Sequence, residues 1–577
     1  MDLALLAIKL IVLLPLCSIG PGLLIVSRLR WSPIEKLAGA FAGSFIAIYL
    51  ASFLLFNLNA GTWAYWTTSA IFAVMFVRAW PTAKLLLRHR TCRTALLVLA
   101  LILAWDLLHL AMVRRYGGGG WAVDWREHYE RTQYFLHQFP ADYLFVGMYA
   151  LPARPPLLNL LAAFFCKQVG LSFESYSLTL MFFNAWAVLP CCLLVHLLAP
   201  RRWKLMFVLA ALFMLNPSIM ENATLTVTKA MTAGLVVLGV CFYLRRRMVA
   251  AALTLAAGML THYSAVPFAA AVGLHYLWTI LRGRRPLRQA CLATVAGAAL
   301  LGTWFVWSVC VFGSRVTFFS NTTAAGVAAA SPKSNIQRIL YNLFATIVPH
   351  PFHHIADNQF NSLGSWSEVG DYYFTMTQQT LPMMAGLIGG VVALGLAVRL
   401  LWSGPSAPMA INRRSPGVAR GFWAFYIPFT FVLGVAVNPD WNGFGVGHVT
   451  LQSLAMMALA LLAARWTALS PITRRLVVLG AAVDYGLGVY LLFDRESRVY
   501  ATQRIQGGQV LITPDETLGR HGIGEYIAKL ISGYVFWADH WIALIPCLQI
   551  VSLAGAVCAV WFLLGAGKEK SNCNRGI

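Results

Sequence analysis

The chain has 577 residues, of which 59% are hydrophobic and only 11% charged, with 44 Lys and Arg against 21 Asp and Glu for a net charge of +23. Soluble domains carry roughly 25% charged residues, so this depletion excludes a soluble protein, and apolar runs that do not alternate exclude a β-barrel. The basic excess reads as loop charge that orients membrane helices, not as a nucleic-acid surface.

Hydrophobic runs fall at 5–26, 37–57, 64–79, 94–113, 176–198, 204–217, 229–244, 248–261, 264–281, 289–312, 380–402, 421–437, 447–465, 475–493 and 541–566. They predict an all-α polytopic membrane protein, a transmembrane helix bundle of about 15 spans. The first run lacks a basic n-region and a small-residue cleavage site, and is expected to stay as a helix. None of the 11 cysteines belongs to a CxxC pair or a Cys–His zinc spacing. They read as small buried hydrophobes.

The connectors alternate in charge. One set holds the basic groups Arg28–Lys36, Arg78–Arg93, Arg201–Lys204, Arg245–Arg247, Arg282–Arg288, Arg413–Arg420, Arg465–Arg475 and Lys568–Arg575. In the other set, NLNAGTW at 57–63 has no charge and NPDWNG at 438–443 has only an acid. The positive-inside rule then puts the N-terminus outside and the C-terminus in the cytoplasm. Residues 114–154, 313–379 and 494–540 face the exoplasmic side and contain no cysteine, so no disulfide is expected there. Residues 155–170 are apolar but short. A crossing there would reverse the agreement of every later loop, so a re-entrant or interfacial helix at the outer surface is expected.

Charges and aromatics gather in these outer stretches. In AVDWREHYERTQYFLHQFPADY, residues 122–143, Asp124, Glu127, His128 and Arg131 stand at i, i+3, i+4 and i+7, one face of a helix, with Tyr129, Phe135 and Leu136 as an apolar flank. The same spacing suits an amphipathic helix lying on the membrane with its charges solvated. Arg154 precedes a proline pair that suits a helix start, either as an anchor snorkelling to headgroups or as a guanidinium for a lipid phosphate. Lys229 begins a span on the outer side, against the charge rule. His262 and Tyr263 cap a tight outer turn. Asp484 is the main charge inside a span.

Taken in order, VDWREHY with Asp124, RPPL at 154–157, the NPSIMEN turn and GMLTHYSA at 258–265 resemble the membrane-embedded glycosyltransferases of the GT-C fold. The likeness is to the superfamily of protein O-mannosyltransferases and the lipid A aminoarabinose transferase. It covers roughly residues 110–275. This chain departs from the pattern in having three more helices ahead of the acidic loop, Trp125 after Asp124 where many relatives have a second acid, and His262 where Lys is common.

The resemblance implies a fold and a reaction. Residues 1–93 would be extra N-terminal helices and 94–312 a GT-C-like catalytic core with its first exoplasmic loop at 114–154 and exoplasmic juxtamembrane helices. An exoplasmic loop at 313–379, C-terminal helices at 380–493, a small exoplasmic segment at 494–540 and a last helix with a cytoplasmic tail at 541–577 would follow. The enzyme would move a sugar from a polyprenyl-phosphate donor to a hydroxyl of a glycan, lipid or protein, with inversion, among the lipids of a bacterial inner (plasma) membrane. Asp124 and Glu127 are the catalytic acids it implies, with Asp124 as base. Arg154, Lys229, His262, His353 and His354 are its donor-phosphate ligands, and His128, Tyr129 and Tyr263 contact substrate. No cofactor, metal or nucleic acid is expected, although His350, His353, His354 and Asp357 have a spacing that suits a divalent ion. Two other readings compete. An O-antigen-type glycan polymerase or ligase concentrates Arg and His in one large outer loop, as 313–379 would. A lipid or sugar transporter needs charges at mid-membrane and internal repeats, and no clear repeat is present.

Overall fold

The computed structural model describes residues 3–112, 122–147, 149–283, 286–320, 334–347, 377, 380–402, 416–436, 447–490, 505–506, 509–510 and 543–566, with the backbone alone described at 3–4, 122–126, 345, 400–402, 416–420, 447–450, 505–506 and 509–510. Its regular structure is helical, apart from Ile505–Gln506 paired antiparallel with Gln509–Val510. Among the described residues eight helices are long and apolar enough to cross a membrane, or ten if each of two bent pairs is one span, and five more are apolar but shorter. The protein is a polytopic helical membrane protein.

The first five helices are α1 (Leu3–Ser27), α2 (Pro33–Asn57), α3 (Thr62–Arg78), α4 (Trp80–Arg88) and α5 (Arg90–Met112). α1 and α2 cross where Gly22 meets Ala40 and Ser44. A Cβ at Gly22 would lie 1.9 Å from the Ala40 carbonyl oxygen, so only glycine fits. The Gly22 N–H, one residue after a helix-breaking proline, donates to Ser44 Oγ at 2.9 Å.

α2 runs the depth of the bundle. Near its start Glu35, fully buried, is paired with Arg245, lies 3.6 Å from Arg247, and accepts the Ser32 N–H at 2.8 Å as part of a capping box. Near its end the Phe56 ring packs edge-on against Phe135, 5.1 Å between centroids, and the Phe56 carbonyl accepts from Gln138 Nε2 at 3.0 Å. At about 1.5 Å per residue these two ends lie roughly 30 Å apart.

Then come α6 (Ala122–His137), α7 (Leu157–Val169), α8 (Phe173–Ala185) and α9 (Val188–Leu198). The span formed by α8 and α9 is enclosed by the rest of the bundle, with Trp186 at its bend set edge-on to Phe45 at 5.0 Å. α7 is also sunk in protein: every residue but Lys167 is buried. Ser52 Oγ donates to its Leu160 carbonyl at 2.9 Å and Ser69 Oγ donates to Gln168 Oε1 at 2.8 Å. Of the two placements expected for 155–170, this enclosure by α2 and α3 is the one a re-entrant helix requires. Gly170, at φ 95°, ends α7 in a conformation that favours glycine.

α10 (Leu205–Met214) and α11 (Pro217–Thr224) bend by 76° at a turn where Asn216 Oδ1 accepts the Ile219 N–H at 2.9 Å. α12 (Lys229–Leu244), α13 (Met248–Thr261), α14 (Val266–Leu281) and α15 (Leu287–Phe319) complete the central group. Farther on, Asp484 Oδ2 accepts the N–H of Leu387, at the start of the helix Leu387–Trp402, at 3.2 Å. The acid that a transporter reading draws on thus caps a neighbouring helix.

Candidate functional site

α6 is not a surface helix with solvated charges. Glu127, His128, Glu130 and Arg131 are all buried, and charges at that depth need partners. The partners come from the turns that follow. Glu127 Oε1 accepts from Arg131 Nε at 2.9 Å and Nη2 at 2.6 Å, one helical turn on. Arg131 uses its other N–H groups on backbone: Nη1 donates to the Leu151 carbonyl at 2.5 Å and Nη2 to that of Ala150 at 3.1 Å. Its guanidinium lies 4.5 Å from the Phe145 ring centroid. Glu130 Oε2 accepts the Val146 N–H at 2.8 Å. α6 thereby fixes the path of 145–151, where Val146 and Gly147 both have positive φ.

That path delivers Arg154. It lies in extended backbone, φ −129° and ψ 140°, as a residue before proline must, and Pro156 caps the start of α7. Arg154 Nε donates to Glu127 Oε2 at 3.3 Å and Nη1 to Tyr263 Oη at 3.1 Å. Tyr263 opens a short 3₁₀ turn, Tyr263–Ala265, whose N-cap is His262. Ser264 N donates to His262 Nδ1 at 3.2 Å. That nitrogen therefore carries a lone pair, and the neutral ring keeps its proton on Nε2.

The charges follow from this geometry. Burial alone would raise the Glu127 carboxyl, but Arg154 and Arg131 outweigh it and hold the group down at about 2. Burial, helped by the same two arginines against Glu127, lowers His128 to about 3. His128 is therefore neutral, and its Nδ1 lies 3.3 Å from Asn159 Oδ1 on α7. One carboxylate between two guanidiniums leaves these three side chains with one surplus positive charge.

Hydrogen bonds thus join Glu127, Arg154 and Tyr263, with the His262 ring centroid 3.9 Å from that of Tyr263 and His128 next to Glu127 on α6, held by Asn159. Asp124 stands one turn before Glu127 on α6, its side chain outside the described residues. Lys229 is buried as the first residue of α12, which packs against the Tyr263–Ala265 turn. Tyr129 is buried edge-on against Phe173 at 5.3 Å and Tyr176 at 5.1 Å, a packing position. His350, His353, His354 and Asp357 lie outside the described residues. Three further residues carry no predicted role: Arg131, whose i, i+4 spacing from Glu127 is visible in the sequence; Asn159, an amide in an apolar run; and Asp106, which is buried in α5 with no hydrogen-bond partner on Oδ2 among the described residues.

No family model matches the chain, and no curated protein matches it. Two solved structures are similar to it, both of ArnT from Cupriavidus metallidurans. One, bound to undecaprenyl phosphate, is 15% identical with a TM-score of 0.44, over 82% of this chain and 77% of that one. The other, in the apo state, is 16% identical with a TM-score of 0.42, over 82% of this chain and 76% of that one.

Proposed function

We propose that the chain is an integral membrane glycosyltransferase that moves a sugar from a polyprenyl-phosphate donor to an acceptor hydroxyl on the exoplasmic side. The observation that carries this reading is the Glu127–Arg131–Arg154–Tyr263 set, a surplus of positive charge held by hydrogen bonds with its carboxylate fully buried. A lipid-borne phosphate is an anion of the kind such a set, built among membrane helices, can meet.

In the reaction the acceptor oxygen attacks the anomeric carbon. The carbon–oxygen bond to phosphate breaks, and its electron pair leaves with the polyprenyl phosphate. The hydroxyl proton passes to a carboxylate, and the anomeric configuration inverts. Asp124 is that base. Glu127 is unsuited to it, since taking a proton would forfeit its attraction to two guanidiniums. Arg154 and Lys229 meet the charge growing on the departing phosphate. His262 contributes a neutral N–H donor, and His353 or His354 reaches the same phosphate from the outer loop.

The test is Asp124→Asn in purified, lipid-reconstituted protein supplied with a labelled polyprenyl-phosphate sugar. Transfer falls about 100- to 10,000-fold, the usual contribution of a general base, while thermal unfolding stays at the wild-type temperature. Wild-type protein that neither binds nor consumes such donors overturns the reading. A fully active Asp124→Asn variant overturns the choice of base.

A further inference from the structure

We propose that Glu127 is a resident counter-anion: it holds Arg154 between turnovers, the donor's phosphate displaces it, and Arg131 keeps it in place meanwhile. This rests on the phosphate-donor reading above.

The two arms of the Glu127 carboxylate are unequal. Oε1 receives two N–H groups from Arg131, at 2.9 and 2.6 Å. Oε2 receives Arg154 Nε at 3.3 Å, beyond the usual charge-assisted range of about 2.7–2.9 Å. The arginines differ in the same sense. Arg131 has no exposed side-chain surface and is tied to the Ala150 and Leu151 carbonyls. The Arg154 side chain keeps 13% of its surface exposed and donates to the neutral Tyr263 hydroxyl. Arg154 is the arm that an incoming anion can reach.

Exchange leaves no buried charge orphaned. When phosphate takes Arg154, Glu127 stays neutralised by Arg131. When the lipid phosphate departs, the carboxylate recovers Arg154. A guanidinium without that competitor would hold the product as firmly as the donor, and release of the spent lipid would slow. Glu127 is therefore a positioning residue, and Arg131 is what lets it act as one.

The experiment uses full-length protein in nanodiscs, a polyprenyl phosphate as probe, and the variant Glu127→Gln. The amide keeps the shape and loses the charge. The variant binds the polyprenyl phosphate about tenfold more tightly, the scale of one competing charge-assisted contact removed. Its steady-state turnover falls, while the single-turnover rate of sugar transfer stays near wild type. Glu127→Asp retains the charge and draws it back by one methylene, so it gives a smaller tightening and serves if the glutamine variant does not fold. Unchanged or weaker probe binding in both variants overturns the proposal. So does a single-turnover rate lost together with steady-state turnover, which would make Glu127 the base. Wild-type protein that does not bind the probe overturns the glycosyltransferase reading as well.

Discussion

Replacing Arg131 by Met tests the charge network without reference to any reaction. Met keeps the apolar stem and removes every N–H. The Leu151 and Ala150 carbonyls lose their donor, and Glu127 loses the nearer of its two guanidiniums. Removing one partner of a buried ion pair costs about 3–5 kcal/mol. Against burial, Arg154 and Arg131 together draw the Glu127 carboxyl from an ordinary 4.5 to about 2, a net of about 3 kcal/mol to which Arg131 contributes part. The sign is set by the direction: this stability is fully present above pH 4.5 and is lost as pH falls toward 2. Typical proteins are stable by only about 5–15 kcal/mol, so the loss should be plain in reversible unfolding in detergent micelles. Arg131→Met is expected to cost at least about 3 kcal/mol and to flatten the acid limb between pH 4.5 and 2. Adding Glu127→Met should restore part of the loss, with a coupling of about 2 kcal/mol. A single variant costing under about 1 kcal/mol, or a double variant equal to the sum of the singles, would refute the network as described.

Two further outcomes follow from the sequence. A cysteine at Gly118 should react with an impermeant thiol reagent from outside while one at Ser406 should not; labelling of Ser406→Cys alone would reverse the orientation. Sugar transfer should survive prolonged chelation yet fall in a His353→Ala, His354→Ala double variant; loss on chelation that one divalent ion restores would show a metal where none is expected.

The helices were legible because apolar runs and basic connectors record the bilayer directly. The face of α6 was legible too, from the spacing of Glu127, His128 and Arg131. Its burial was not. Four charged or ionisable groups in the five residues 127–131 ordinarily lie in water, and what permits otherwise is supplied from afar: Ala150, Leu151 and Arg154 after two turns, and Tyr263, 109 residues beyond Arg154. The position of α7 was hidden for another reason. A helix facing lipid and a helix enclosed by other apolar helices have the same composition. Only Asn159 and Gln168 hinted at protein on its flanks, through the bonds they make to α6 and α3.

The pairing of Glu35 with Arg245 spans 210 residues, and biosynthesis proceeds in that order. At a translation rate of about 5–20 residues per second, the acid precedes its arginine by roughly 10–40 s. Throughout that interval Glu35 lacks the arginine it pairs with in the finished fold, and the pairing forms only once the end of α12 has been made. A nascent chain that stops just short of residue 245 therefore leaves Glu35 without its arginine even though Asp124, Arg154 and Lys229 have already been made.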